Sequence, residues 1–148
     1  MKIFAKNRRA RYNYDILKKY EAGIALRGYE VKSIKTGHVS LKESYVTALD
    51  NELFLTNATI PLYKFAGDRP AYNATAPRKL LLHKKEISYL IGKLKTKGLT
   101  LVPLSMYNKK GKIKLLFALA RGKRKYDKRQ TIKEREDKMR TQRYLKQY

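Results

Sequence analysis

The 148-residue chain is long enough for one domain, and its 36 lysine and arginine residues against 12 acidic ones give a formal net charge of +24. A charge of this size indicates a polyanionic partner, and nucleic acid is a commoner one than an anionic membrane. The absence of cysteine excludes disulfides and thiolate chemistry, and two isolated histidines, His38 and His83, make a poor metal set, so we expect neither a metal nor a cofactor.

The chain opens with basic residues interleaved with aromatic ones. Arg8 and Arg9 precede Tyr12 and Tyr14. Guanidinium groups contact phosphates and rings stack on exposed bases, so this pattern suits RNA. A plainer interpretation is that Tyr14 and Ile16 begin a strand, and both interpretations can hold together.

Residues 21–37 predict a strand followed by a short helix. The apolar run 22–26 indicates the strand, and Gly28 permits a sharp change of direction. Val31 and Ile34 are three apart, the spacing of one helix face, and Gly37 can close the helix end.

The charges of this stretch are unusual. Glu21 stands just before the apolar run, whereas Arg27, Lys32 and Lys35 follow it in an otherwise basic chain. An acid kept among cations is expected to have a specific partner.

A hairpin and a helix are predicted next. Alternating segments 41–49 and 53–60, separated by Asp50-Asn51-Glu52, predict the hairpin, and a surface loop then runs to Pro77. A helix ending at Gly98 is predicted by one apolar stripe: Ile87, Leu90, Ile91 and Leu94. Just before it, Leu81 would point away from its neighbours and is a candidate exposed leucine.

Two further strands, Leu99 to Tyr107 and Ile113 to Ala120, complete the body. The second buries one face and leaves Lys114 on the other, free to reach a phosphate. The longest apolar run, Leu115 to Ala120, is too short to span a bilayer, and the N-terminus is polar and basic. We therefore expect a soluble, cytoplasmic protein without a membrane partner.

These elements predict a mainly β fold with helices. Short, mostly hairpin-connected strands with one good helix favour an OB-like antiparallel β-barrel with flanking helices over residues 1–120. Residues 121–148 predict a basic C-terminal tail with a thin apolar stripe, Ile132 and Met139. We expect this tail to be disordered alone and helical when it lies in a nucleic-acid channel.

Four blocks of the sequence resemble the SsrA-binding (small protein B) family of bacterial trans-translation. They are EAGIALRGYEVKSIKTG at 21–37, RKLLLHKKEI at 78–87, the Gly122-Lys123 pair with Asp127-Lys128-Arg129, and the following IKERE. The resemblance implies a protein that binds the tRNA-like domain of transfer-messenger RNA and delivers it to stalled ribosomes. We further expect a monomer without enzymatic activity. It also implies that the tail lies in the decoding centre and the mRNA path.

The resemblance and the charge pattern together give the expected site residues. Asn7, Glu21, Leu81 and Lys114 match family positions that serve RNA binding. Basic residues of the same stretches are added to them: Arg8, Arg9, Lys32, Lys35, Arg78 and Lys79. The residues expected to contact the ribosome lie in the tail: Gly122, Lys123, Tyr126, Asp127, Lys128, Arg129, Ile132 and Lys133.

Two of these residues have alternative interpretations. Glu21 cannot pair with a phosphate, so it would accept hydrogen bonds from base edges, or else form a salt bridge to Arg27 or Lys32. Leu81 would pack against a base or a sugar, or else belong to the core. The loop before Arg78 departs from the family, with Asn73 and Ala74 where Asp-Pro is usual.

Two other functions remain open at this point. A ribosomal or initiation-type RNA-binding protein with the same barrel explains the charge equally well. A small ribonuclease would use His38 or His83 with Glu21 as acid and base, but neither histidine has an acid or nucleophile constellation nearby in the sequence.

Overall fold

The computed structural model describes residues 2–123. Strands make up most of this part. Its elements are β1 (Ile3–Lys6), α1 (Ala10–Asn13), β2 (Tyr14–Ile24), α2 (Gly28–Lys35), β3 (Tyr45–Leu49), β4 (Glu52–Thr56), β5 (Arg78–Leu81), α3 (Lys84–Leu94), β6 (Leu99–Lys109) and β7 (Lys112–Gly122).

All strands of this part join in one antiparallel sheet, with the order β1-β6-β3-β4-β5-β2-β7. β6 also pairs with β7, so the order β6-β3-β4-β5-β2-β7 returns to β6, and β1 lies beside β6. We call this arrangement the closed circuit. The prediction of a mainly antiparallel β fold with helices is confirmed.

The predicted passage from strand to helix is confirmed at β2 and α2. Gly28 is the first residue of α2, and the side chain of Glu30 accepts a hydrogen bond from the backbone of Arg27 at 3.0 Å, which caps the helix start. Gly37 has φ +85° and donates its backbone N–H to Ile34, which ends the helix. β2 begins at Tyr14, so the plainer interpretation that Tyr14 and Ile16 begin a strand is confirmed. The apolar run marked only the end of this strand, because the exposed Lys18 and Lys19 interrupt the apolar pattern before it.

The predicted hairpin is formed by β3 and β4. Its turn has only two residues, Asp50 and Asn51, both with positive φ, and Glu52 is already in β4 opposite Leu49. Both strands are shorter than predicted. Asn57 takes a left-handed φ of 65° directly after β4, which interrupts the extended backbone.

Every strand of the closed circuit contributes buried side chains to one core cluster. α3 contributes Ile87 and Leu90 as predicted, although it ends at Leu94 and Gly98, with φ +87°, belongs to the turn that follows. β7 contributes the predicted alternating face, which is almost completely buried: Ile113, Leu115, Phe117 and Leu119.

A second, smaller apolar cluster lies on the other face of β7. Ala10 of α1 packs there with Val102 and Ala120, so this end of β7 is buried on both sides. Arg121 then pairs with Asp15 and Leu99, and the strand continues to residue 122. The structured body therefore extends beyond the predicted boundary at residue 120.

Candidate nucleic-acid interface

A depression of about 470 Å³ brings together four of the residues predicted to bind RNA. Glu21 of β2, Lys79 and Leu81 of β5, and Lys114 of β7 all line it. These strands are neighbours in the sheet although their residues are far apart in sequence. We call this site the Glu21 depression.

A glycine at its centre allows the neighbouring side chains to approach. Gly23 pairs with Leu81 on one side and with Lys114 on the other. A methyl group added to Gly23 would lie 3.3 Å from the Cβ of Leu81 and 3.7 Å from the Nζ of Lys114. The missing side chain therefore leaves room for an apolar group and a cation next to each other.

Leu81 is exposed to solvent, as the alternation of β5 predicts. It is 52% exposed, whereas Leu80 is completely buried. The alternative that Leu81 belongs to the core is wrong. A half-exposed leucine in the same depression as a lysine and a carboxylate offers an apolar contact for a base or a sugar.

Glu21 has partners that the sequence did not indicate. The hydroxyl of Tyr107 donates a hydrogen bond to Oε2 of Glu21, and the Nζ of Lys109 lies 3.1 Å from Oε1. The salt-bridge partner is thus Lys109, not Arg27 or Lys32. The Glu21 side chain remains 35% exposed, so its carboxylate keeps acceptor positions open toward solvent.

These contacts favour the ionised form of Glu21. The hydrogen bond from Tyr107 is the main reason that the pKa of Glu21 is lowered. Burial opposes it as the second-largest effect, and the hydrogen bond and charge of Lys109 add to the lowering. The pKa of Tyr107 is raised, by burial first and then by its bond to the carboxylate. Tyr107 therefore stays a donor and Glu21 an acceptor near neutral pH.

The sequence contained only part of the signal for these partners. Lys109 follows Tyr107 by two residues in β6, so both side chains lie on one face of that strand. Their proximity to Glu21 depends on β7, which pairs with β2 on one side and β6 on the other. No local pattern predicts this three-strand arrangement.

The N-terminal residues predicted to bind RNA lie in a different place. Asn7, Arg8 and Arg9 line a wider cleft of about 1170 Å³ that also includes residues 39–47. The side chain of Asn7 donates to the carbonyl of Pro103 at 2.9 Å, so its amide fastens this segment to β6. Arg8 and Arg9 are exposed.

The lysines of α2 form a third location. Lys32 and Lys35 are both exposed on this helix. The Nζ of Lys32 lies 5.8 Å from the centre of the Tyr63 ring. Neither lysine lines the Glu21 depression.

The structure contradicts the prediction that Arg78 binds RNA. Its side chain is only 3% exposed and forms an ion pair with Glu30, with a nitrogen–oxygen distance of 2.8 Å. The guanidinium also donates to the carbonyls of Ala58 and Ala74 and to the hydroxyl of Tyr72. Arg78 is therefore a buried structural residue with no donor left for a phosphate.

The start of the predicted tail is described only in part. Gly122 pairs with Tyr14, and the backbone N–H of Lys123 donates to Asn13. The other residues predicted to contact the ribosome lie outside the described residues: Tyr126, Asp127, Lys128, Arg129, Ile132 and Lys133.

Residues 2–123 contain no candidate for a membrane-spanning helix or for a metal-binding cluster of side chains. In this part, no helix is long and apolar enough to cross a membrane. Nor does it contain a group of three histidine, aspartate or glutamate side chains placed to hold a metal ion.

The fold and these surfaces define a class: a small, strongly basic, antiparallel β protein whose surface chemistry suits nucleic acid. Comparison with known proteins gives the family. The family model described as "SmpB protein" matches residues 4–147. The chain belongs to this family.

Similar proteins agree with this assignment. The SsrA-binding protein of Trichodesmium erythraeum is 53% identical over 99% of this chain and 94% of its own length. The SsrA-binding protein of Thermosipho melanesiensis is 48% identical over 99% of each chain. A solved structure described as "tmRNA-SmpB: a journey to the center of the bacterial ribosome" matches 86% of this chain and 92% of its own, with 47% identity and a TM-score of 0.66.

Proposed function

We propose that this chain binds the tRNA-like domain of transfer-messenger RNA and delivers it to stalled ribosomes in the cytoplasm for trans-translation. Membership of the SmpB family supports this function. So do the relatives named as SsrA-binding proteins and the similar structure whose description names tmRNA and the bacterial ribosome. The same membership favours this function over a ribosomal or initiation-type protein.

The fold proposed for this function is an OB-like barrel. The closed circuit supports it, because each strand of the circuit has a hydrogen-bonded neighbour on both sides. The barrel presents its RNA-binding residues on β2, β5 and β7.

The observation that carries the proposal is the composition of the Glu21 depression. Lys114 supplies charge for a phosphate, and Leu81 supplies an apolar contact for a base or sugar. Glu21 repels phosphates and accepts hydrogen bonds from base edges, so it selects the RNA rather than strengthening every contact. Tyr107 and Lys109 hold its carboxylate in place.

The tail has a separate part in this function. A ribosome without a codon lacks the base pairing that reports a correct tRNA, so a basic segment able to stack must occupy that space. We assign this to the tail, which becomes helical in the decoding centre and the mRNA path. Because β7 continues to Gly122, a chain ending at Lys123 keeps the whole sheet.

The proposed function is binding without cleavage. His83 lines the same depression as Glu21, and a ribonuclease mechanism would need these two residues as acid and base. The lowered pKa of Glu21 makes it a poor base near neutral pH, and its carboxylate is already paired with Lys109. Incubation with labelled RNA is expected to leave the RNA intact.

The main test compares two matched acid-to-amide variants. Gel shifts would measure the affinity of Glu21→Gln and Glu52→Gln for transfer-messenger RNA and for ordinary tRNA over a range of salt concentrations. Both acids line the depression, and Glu52 is paired only weakly with Lys79 at 3.7 Å. Glu21→Gln is expected to lose the preference for transfer-messenger RNA and Glu52→Gln to keep it, with all affinities falling as salt rises. If Glu21→Gln and Glu52→Gln prefer transfer-messenger RNA over ordinary tRNA to the same degree, the proposed role of Glu21 in selecting the RNA is refuted.

The tail is tested separately. A chain ending at Lys123 is expected to bind transfer-messenger RNA in gel shifts but to fail in tagging peptides on ribosomes stalled on truncated message. Loss of RNA binding on truncation, or full tagging without the tail, would contradict this division of roles.

A further inference from the structure

A cluster of rings and cations lies on α2 and on the loop that precedes β5. The guanidinium of Arg69 lies 4.5 Å from the ring centre of Tyr29. The Nζ of Lys64 lies 5.4 Å from that of Phe65, and the rings of Tyr63 and Phe65 meet edge to face at 5.6 Å. We call this cluster the stacking patch and define it by six residues: Tyr29, Lys32, Tyr63, Lys64, Phe65 and Arg69.

The most exposed ring of the patch is that of Phe65. Its side chain is 75% exposed, more than any other large apolar side chain in residues 2–123. The exposure of an apolar ring to water is unfavourable, and a flat apolar partner would relieve it. The face of a nucleotide base is such a partner.

The loop that carries the patch is attached to the body at several points. Arg78 donates to the carbonyl of Ala74 at 2.9 Å and to the hydroxyl of Tyr72 at 3.2 Å. The hydroxyl of Tyr72 donates to the carbonyl of Ile60, and its ring meets that of Tyr29 edge to face. The end of this loop and the ring of Tyr29 are therefore held in place before any partner binds, which lowers the entropic cost of binding.

The charge of the patch is positive. Lys32, Lys64 and Arg69 are exposed cations, and Asp68 is an exposed acid beside them. The other nearby acid, Glu30, is buried and neutralised by Arg78. The rings of Tyr29, Tyr63 and Phe65 therefore each have a cation over them, and the net charge of the exposed groups around them is positive.

We propose that the stacking patch is a second RNA-binding surface, which takes unpaired nucleotides. Bases stack on Phe65 and Tyr63, and the cations of the patch contact the adjoining phosphates. The patch shares no residue with the Glu21 depression or with the wider cleft. It therefore goes beyond the proposed function, and its RNA need not be the one that Glu21 selects.

RNA fits the patch better than an acidic protein segment does. An amphipathic peptide needs an apolar groove, whereas each ring of the patch lies beside a cation. Rings that each carry a cation match instead the alternation of base and phosphate along a single strand.

The first test uses the fact that the chain contains no tryptophan. Phe65→Trp introduces a single indole whose fluorescence reports stacking directly. Leu49→Trp is the matched control, because Leu49 is 62% exposed at the end of β3 and lies outside the patch. Addition of an oligouridylate of about twelve nucleotides is expected to quench the indole at position 65 and not that at position 49.

The second test measures affinity. Phe65→Ala is expected to weaken binding of the same oligouridylate by roughly 5- to 150-fold, the range for loss of one stacked base, and Leu49→Ala to leave it unchanged. Equal quenching at the two positions, or unchanged affinity of Phe65→Ala, would overturn the proposal. Quenching by a polyglutamate peptide and not by the RNA would show instead that the patch binds an acidic protein.

A last comparison separates this proposal from the function proposed above. Glu21→Gln combined with Phe65→Trp is expected to lose its preference for transfer-messenger RNA while oligouridylate still quenches the indole. If both properties disappear together, the patch is not an independent surface.

Discussion

Replacement of Arg78 by methionine is expected to destabilise the fold rather than weaken RNA contacts directly. The change removes the partner of Glu30, whose side chain is only 9% exposed, and leaves the carbonyls of Ala58 and Ala74 without these donors. Removal of one partner of a buried ion pair costs about 3–5 kcal/mol, because the remaining charge is buried alone. At about 3 °C per kcal/mol for a chain of this size, the midpoint of thermal unfolding should fall by about 10–15 °C.

The assays are thermal unfolding and urea unfolding, both followed by circular dichroism, with Lys79→Met as the matched control. Lys79 is the next residue of β5, 47% exposed, and its pair with Glu52 should contribute less than about 1 kcal/mol. The double change of Arg78 and Glu30 to methionine should recover much of the loss, since no charge then remains buried. A loss below about 1 kcal/mol for Arg78→Met, or weaker RNA binding at unchanged stability, would refute the reasoning.

Three further changes concern the Glu21 depression. Tyr107→Phe should lower the unfolding free energy by about 1 kcal/mol. This difference in unfolding free energy should be present between pH 4.5 and pH 10.0, the ordinary pKa values of glutamate and tyrosine. Urea titrations at several pH values should show the difference shrinking below pH 4.5, where Glu21 becomes protonated, and above pH 10.0, where tyrosine ionises in the unfolded chain. Leu81→Ala should weaken transfer-messenger RNA binding in gel shifts with a stability change within about 0.5 kcal/mol, whereas Leu80→Ala should cost about 2–5 kcal/mol. Gly23→Ala should weaken the same binding severalfold, because its methyl group would lie 3.3 Å from Leu81; unchanged affinity would show that the depression tolerates displacement.

The parts of the fold that depend on local pattern were predictable from the sequence. The alternation of β5 indicated that Leu81 is exposed, and the apolar stripe of α3 indicated that Leu90 is buried. The hairpin turn at Asp50 and Asn51 also followed from residue types that accept positive φ, although Glu52, which was predicted to belong to the connection, is in β4. In each case the physical cause lies within a few residues of the effect.

The parts that depend on distant pairing could not be predicted in this way. Arg78 is one basic residue among many in the sequence, and only the fold brings it to Glu30, far away on α2. Likewise, Glu21 was correctly interpreted as an acid with a specific partner, but Lys109 reaches it only through the alignment of three strands. Charge and residue type indicated the chemistry of these groups, and tertiary contact determined their partners.

The closed circuit has a consequence for synthesis of the chain. β2 pairs with β7 along most of its length, from Tyr14 opposite Gly122 to Gly23 opposite Lys114. About 100 residues must be translated before that partner exists, which takes roughly 5–20 s at ordinary rates of elongation. During this interval the edge of β2 is unpaired and open to association with other chains, and the exposed Lys18 and Lys19 place charge on that edge. The lysines of β2 would thus protect the nascent chain from aggregation before they have any role in the finished protein.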